Sequence, residues 1–241
     1  MAREQLNSAS YNWNAFPDRP ELAAALAGRV ADRLTKAIAA RGTALLAVSG
    51  GTTPAKFFAT LSALPIAWDK VIVTLVDERF VPASSPRSNA GLVAANLLQN
   101  AAKAARFVPL YHEAAGIEDA ATSDDAALRS LPWPLDVVIL GMGPDGHTAS
   151  FFPGGDHLAE ALDLTGTAHV LPMHAPGAGE PRITFTLPTL LRTRALYLHI
   201  ESEAKRDLLA DARLGLGEAA NYPVRAVLTQ NQVPVAVYWC P

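Results

Sequence analysis

Short apolar runs recur along this chain, each followed by a glycine-rich or charged turn and then by residues at helical spacing. That rhythm leaves it few ways to fold. Ala44-Leu45-Leu46-Ala47-Val48, Val71-Ile72-Val73-Thr74-Leu75-Val76, Asp136-Val137-Val138-Ile139-Leu140, Ala195-Leu196-Tyr197-Leu198-His199-Ile200 and Val235-Ala236-Val237-Tyr238-Trp239 read as buried strands. Leu22, Leu26, Val30, Leu34 and Ile38 recur with the period of a helix over residues 19–41, which Gly42 stops. Further helices are expected at residues 90–105, at 119–131 ahead of Pro132-Trp133-Pro134, around 187–192, and at 202–212. Weaker strands are expected at 106–110, 168–171, 182–186 and 224–228, while 80–88 and 174–181 read as loops. Strands and helices alternate with no Ser/Gly linker and no internal repeat. The expectation is one domain over residues 1–241, an α/β fold with a doubly wound, mostly parallel sheet flanked by helices, Rossmann-like in its winding.

The polar residues of interest collect where the strands end. Ser49-Gly50-Gly51-Thr52-Thr53-Pro54 follows the first of the runs quoted above, with Pro54 suited to the first position of a helix and Thr53 to its N-cap. Such a turn aims backbone N–H groups and the positive end of a helix at an anion. Asp77-Glu78-Arg79 closes the next run, and Gly141-Met142-Gly143-Pro144-Asp145-Gly146-His147-Thr148-Ala149-Ser150 follows residues 136–140. Open α/β sheets bind ligands outside the carboxyl ends of their strands. Three polar sites on one such edge point to a small anionic, phosphorylated ligand. His147 can move a proton near neutrality, and Asp145 can orient its imidazole. Gly143-Pro144-Asp145-Gly146 lacks the serine that a nucleophile elbow needs. No H-E-x-x-H cluster supplies metal ligands, and His157, His169, His174 and His199 are scattered and read as surface or core residues. From the residues alone the chemistry is acid–base work on a phosphorylated small molecule without a metal, and the reaction stays open.

Composition excludes several other classes. The formal charge of −3 is spread over interspersed signs, so neither a nucleic-acid stripe nor a polybasic membrane anchor is present. A single cysteine, Cys240, excludes an internal disulfide framework and a cysteine-based zinc site. The first twenty residues have no apolar stretch and do not read as a signal peptide, and no apolar run reaches membrane-spanning length. The expectation is a cytoplasmic protein, a monomer or small homo-oligomer.

Taken together, Ser49-Gly50-Gly51-Thr52-Thr53-Pro54, Asp77-Glu78-Arg79-Phe80-Val81-Pro82 with Ser88-Asn89, and Gly141-Met142-Gly143-Pro144-Asp145-Gly146-His147-Thr148-Ala149-Ser150-Phe151-Phe152-Pro153-Gly154 resemble the 6-phosphogluconolactonases related to glucosamine-6-phosphate deaminase. The resemblance runs from residue 40 to the C-terminus. It implies a sugar-phosphate isomerase-like fold, hydrolysis of 6-phospho-D-glucono-1,5-lactone in the oxidative pentose phosphate pathway, and no metal or organic cofactor. It further implies His147 as general base on water, with Asp145 positioning it and backbone N–H groups of the glycine loops taking the oxyanion. The phosphate would lie on Ser49, Gly50, Gly51 and Thr52, with Asp77 in the same site and with positive charge from Arg79, Arg182 and Lys205.

Two other readings are distinguishable. The deaminase resembles this chain at residues 49–53, Asp77 and Asp145 to His147, but its ring-opening glutamate is replaced here by Phe152 and its aromatic after the acidic pair by Arg79. A sugar-phosphate-sensing module would bind without catalysis, yet it has no use for the Asp145/His147 pair, and no helix-turn-helix extension is present.

Overall fold

The computed structural model describes residues 11–241. Residues 1–10, which carry half of the stretch judged not to be a signal peptide, lie outside the described residues. In chain order the elements are β1 (Tyr11–Ala15), α1 (Arg19–Arg41), β2 (Ala44–Val48), α2 (Ala55–Ser62), β3 (Val71–Leu75), β4 (Asp77–Arg79), α3 (Asn89–Asn96), β5 (Arg106–Val108), α4 (Ile117–Leu128), β6 (Val137–Leu140), α5 (Leu158–Leu162), β7 (Val170–Met173), β8 (Arg182–Phe185), α6 (Leu187–Leu191), β9 (Leu196–Glu201), α7 (Glu203–Leu214), α8 (Val224–Thr229) and β10 (Val235–Cys240).

α1 illustrates how local chemistry sets an element. The Asp18 carboxylate accepts from the Glu21 N–H at 2.9 Å, Pro20 occupies the first turn, and Gly42 closes the helix in the left-handed region at φ 78°. Leu22, Leu26, Val30 and Leu34 are fully buried and dock the helix on α2 and the sheet. Each such side chain contributes roughly 1.5–3 kcal/mol of burial, so packing rather than propensity holds α1 in place.

The main sheet has seven strands in the order β1-β10-β9-β6-β2-β3-β5, and every pairing is parallel. From β2 the chain winds outward through β3 to β5, then returns to the other side of β2 as β6. The loops after β2 and β6 therefore part at a topological switch point, the place where a crevice opens in such sheets. β2 and β6 are buried at every residue, as strands covered on both faces must be.

Several sequence expectations are corrected. β4, β7 and β8 are not in the main sheet. They form a three-stranded antiparallel sheet in the order β4-β8-β7. Residues 224–228, expected as a strand, form helix α8, because the buried residues Val224, Val227 and Leu228 keep helical spacing and Pro223 already has helical dihedrals. The helix expected over 90–105 stops at Asn96 and is followed by a 3-10 segment, Asn100–Ala104, entered through Asn100 at φ 48°. β1, on the outer edge of the sheet beside β10, had no clear period to announce it.

Candidate active site

At the switch point lies a cleft of about 300 Å³. Ser49, Gly50, Gly51, Thr52, Asp77, Arg79, His147, Arg182 and Lys205 all line it. Of the residues singled out in the sequence, only Asp145 stands behind the wall rather than in it, in contact with His147.

The glycine turn after β2 is one side of the cleft. Gly50 is required by close packing: a Cβ there would lie 1.8 Å from Oδ1 of Asn89. Asn89 is itself buried and donates from Nδ2 to the Asp77 carbonyl at 2.8 Å, so the turn is keyed to the end of β3. α2 begins one residue later than expected, with Pro54 in the cap position and no side chain capping it, so Thr53 does not act as an N-cap. The first-turn N–H groups of α2 are left without a protein cap at a helix start that lines the cleft.

The small antiparallel sheet supplies the cations. Its register sets Arg79 directly opposite Arg182 and Asp77 opposite Thr184. Like charges paired across strands repel, and one carboxylate answers them: Asp77 Oδ2 lies 3.8 Å from Nη1 of Arg182. Arg182 is nearly buried, donates to the carbonyls of Ala178 at 2.6 Å and Glu180 at 3.3 Å, and spreads its guanidinium over Phe152 at 5.2 Å. Burial, with Arg79 adding to it, depresses its pKa against the pull of Asp77. Arg79 donates to the Arg87 carbonyl, and its Nε is buried with no hydrogen-bond partner. The same Asp77 oxygen accepts from the Ser150 hydroxyl at 2.7 Å, which ties the cation side to the histidine loop.

Glu78, read from sequence only as the middle of Asp77-Glu78-Arg79 with no role of its own, organises this side. Fully buried, its carboxylate accepts from the N–H groups of Arg79, Asn89 and Ala90 at 2.7 Å each and from the Ser88 hydroxyl at 3.0 Å. It thereby fastens β4 to the start of α3 and closes the 80–88 loop. Burial raises its pKa, opposed by those donors.

The loop after β6 carries the acid–base pair. His147 Nδ1 and Asp145 Oδ1 are 2.5 Å apart, and the same oxygen accepts from the His147 N–H at 3.2 Å. Burial pushes the Asp145 carboxyl up, but the His147 hydrogen bond and charge outweigh it and leave the pKa lowered. Phe152 lies against the imidazole with centroids 4.2 Å apart, so the ring is held between a carboxylate and an apolar plate. Gly143 admits no side chain, since a Cβ would fall 2.1 Å from His147 Cε1 and 2.7 Å from Asp145 Oδ1. α8 braces the loop from outside, with the Val224 N–H donating to the Gly146 carbonyl at 2.9 Å and Tyr222 packed on Gly146. Two of the amides in this loop are engaged inside it: Gly143 N–H donates to the His147 carbonyl and Gly146 N–H to that of Gly143. They are not open for an oxyanion, contrary to the expectation for the glycines of this loop.

The fourth wall comes from the β9–α7 turn. Lys205 sits in the first turn of α7, its pKa lowered by burial and partly restored by Glu201. Ser202 makes this turn at φ 88°, ψ 150°, a region that only glycine visits freely, at a cost of about 1–3 kcal/mol. Its hydroxyl returns little, accepting from the Lys205 N–H at 3.4 Å, and a glycine in the cap position loses only a few tenths of a kcal/mol. Ser202→Gly is expected to stabilise the protein by about 1 kcal/mol, read as a Tm rise of about 2–4 °C. An unchanged or lower Tm would mean that the serine side chain holds the turn.

Among the described residues no group of three potential ligands converges as a metal site, and no helix is long and apolar enough to cross a membrane.

Fold and cleft together define an α/β protein in which a glycine turn, an uncapped helix start and several cations face a carboxylate–histidine pair across a sheet switch point. Comparison with known proteins agrees. Residues 17–239 match the family described as glucosamine-6-phosphate isomerases/6-phosphogluconolactonase. A 6-phosphogluconolactonase of Mesorhizobium japonicum is 73% identical over 241 residues, all of both chains. One from Rhizobium meliloti is 54% identical over 96% of this chain and all of its own. The crystal structure of a 6-phosphogluconolactonase from Shewanella baltica superposes with a TM-score of 0.89 at 39% identity, covering 96% of this chain and 98% of the other. The chain belongs to the glucosamine-6-phosphate isomerase/6-phosphogluconolactonase family.

Proposed function

We propose that this protein hydrolyses 6-phospho-D-glucono-1,5-lactone to 6-phospho-D-gluconate, the second step of the oxidative pentose phosphate pathway. The observation that carries the reading is the His147–Asp145 contact in a cleft whose opposite walls are cationic. With the Nδ1 proton held on Asp145, the lone pair of His147 stays on Nε2, where it can take a proton from water as that water attacks the lactone carbonyl carbon. The imidazolium so formed returns the proton to the ring oxygen as the ester bond breaks, with Asp145 stabilising the charged ring. The glycine turn of Ser49, Gly50, Gly51 and Thr52 with the open start of α2 holds the phosphate, and Arg79, Arg182 and Lys205 neutralise it. Asp77 keeps Arg182 in place.

The deaminase reading loses support at Phe152. That side chain packs against His147, the two rings tilted by 31°, where the deaminase carries a proton-transferring glutamate, and a phenyl ring transfers no proton. The sensing-module reading finds no use for a carboxylate-bound histidine in the cleft wall.

Because a phosphorylated lactone is charged and does not cross a membrane unaided, the reading places the activity in the cytoplasm. It takes the chain as one domain, a monomer or small homo-oligomer that needs no cofactor.

The test compares two lactones. Arg79→Ala is expected to raise KM for the phosphorylated lactone at least about tenfold, the scale of one lost charge-assisted contact, and to leave unphosphorylated gluconolactone nearly unchanged. Spontaneous lactone opening is subtracted from every rate. Equal losses on both substrates would remove Arg79 from the phosphate end, and no turnover of either by the unmodified protein would end the lactonase reading.

A further inference from the structure

His199, read from sequence as a packing residue, lines the same cleft beside Pro54 and Lys205. It projects from β9 and is only 3% exposed. On one side the edge of its ring meets Phe57 of α2 at 6.2 Å. On another, Nε2 lies 3.4 Å from Oε1 of Glu201, whose second oxygen is held by Arg19 at 2.8 Å. Neither ring nitrogen makes a hydrogen bond within the protein.

A buried imidazole with two idle nitrogens is costly, and such groups are rare unless something else satisfies them. The cleft is where that partner can come from. Nε2 is turned to Glu201, which leaves Nδ1 as the nitrogen with no counterpart at all. The neighbours in the cleft wall, Pro54 at the open start of α2 and Lys205, belong to the cradle assigned above to the phosphate.

We propose that His199 is a further substrate-binding residue: in the complex its ring carries a proton on each nitrogen and bridges two anions, Nε2–H facing the Glu201 carboxylate and Nδ1–H donating to the phosphate of the substrate. The inference rests on the phosphate-end reading of the cleft. It makes His199 a determinant of preference for phosphorylated over unphosphorylated lactones, with no part in proton transfer at the carbonyl. Loss of one such contact to a charged group is worth on the order of tenfold or more in affinity.

His199→Phe keeps an aromatic ring against Phe57 and removes both nitrogens. His199→Asn keeps an amide donor near the position of Nδ1, and His199→Gln places it near that of Nε2. Each variant is assayed on 6-phosphogluconolactone and on gluconolactone, with inorganic phosphate as competitive inhibitor. His199→Phe is expected to raise KM for the phosphorylated lactone and Ki for phosphate about tenfold, with kcat within twofold and gluconolactone kinetics unchanged. His199→Asn should recover most of the loss and His199→Gln little of it. A folded His199→Phe protein with unchanged KM and Ki would make His199 a packing residue, and equal losses on the two lactones would overturn the phosphate contact. If the phenylalanine variant does not fold, equal behaviour of the asparagine and glutamine variants overturns the proposal just as directly. Failure of the underlying reading shows separately, in the unmodified protein: it would not discriminate between the lactones and phosphate would not inhibit it.

Discussion

Replacing His147 with alanine is expected to lower kcat on 6-phosphogluconolactone by about 10²–10⁴-fold, the usual contribution of a positioned general base, and to change KM by no more than a few fold. The asymmetry follows from where the ring stands. His147 meets Asp145 and Phe152, both in its own loop, whereas the cations proposed to hold the phosphate come from β4, β8 and α7. On that reading, removing the imidazole leaves the binding half of the cleft intact and takes away only the group proposed to change charge during reaction. Steady-state kinetics with the uncatalysed rate subtracted decide the matter. A variant with near-normal kcat would show that another group activates water, while a matched rise in KM would place His147 in ground-state binding.

Gly143→Ala should be almost as damaging without touching a functional group. Its φ is not in the left-handed region, so alanine is acceptable to the backbone, and the three atoms nearest the added methyl all belong to the acid–base pair. With 2.1 Å to His147 Cε1 and 2.3 Å to Nδ1, the imidazole has to move by more than an ångström. A displacement of that size costs roughly 10²-fold in rate. Tm should stay within a few degrees, because His147 and Asp145 are both partly exposed and can swing outward. Activity and Tm lost together would show that Gly143 serves the fold instead, and full activity would mean the pair works in a displaced position.

Much of this was legible in the sequence, and the parts that were not fail for physical reasons. α1 was readable because five apolar residues keep one period over its length and a glycine ends it. The buried strands of the main sheet were readable as unbroken apolar runs, and the three polar clusters at their ends as one site, since parallel winding places those ends together. β4, β7 and β8 are three or four residues long, too short to show a period, and nothing local distinguishes a strand of the main sheet from one in a second sheet. α8 shows the opposite failure: Val224-Arg225-Ala226-Val227-Leu228 is apolar enough for a strand, and only the burial of its first, fourth and fifth residues reveals the helix. Glu78 and His199 were invisible for another reason. A carboxylate that fastens four donors, and a histidine buried in a strand with both nitrogens idle, are defined by what surrounds them in space.

The pairing of Arg79 with Arg182 also bears on how this protein keeps its shape. Two guanidinium groups are fixed opposite one another by strand register, and their repulsion is only partly offset by Asp77 and Glu180, both of which act on Arg182. A dianion bound between them would relieve that repulsion and, by linkage, would draw the folding equilibrium toward the native state. On the reading proposed above, the same charges that would select a phosphorylated substrate also repel one another within the fold, so that the substrate would serve as their counter-ion.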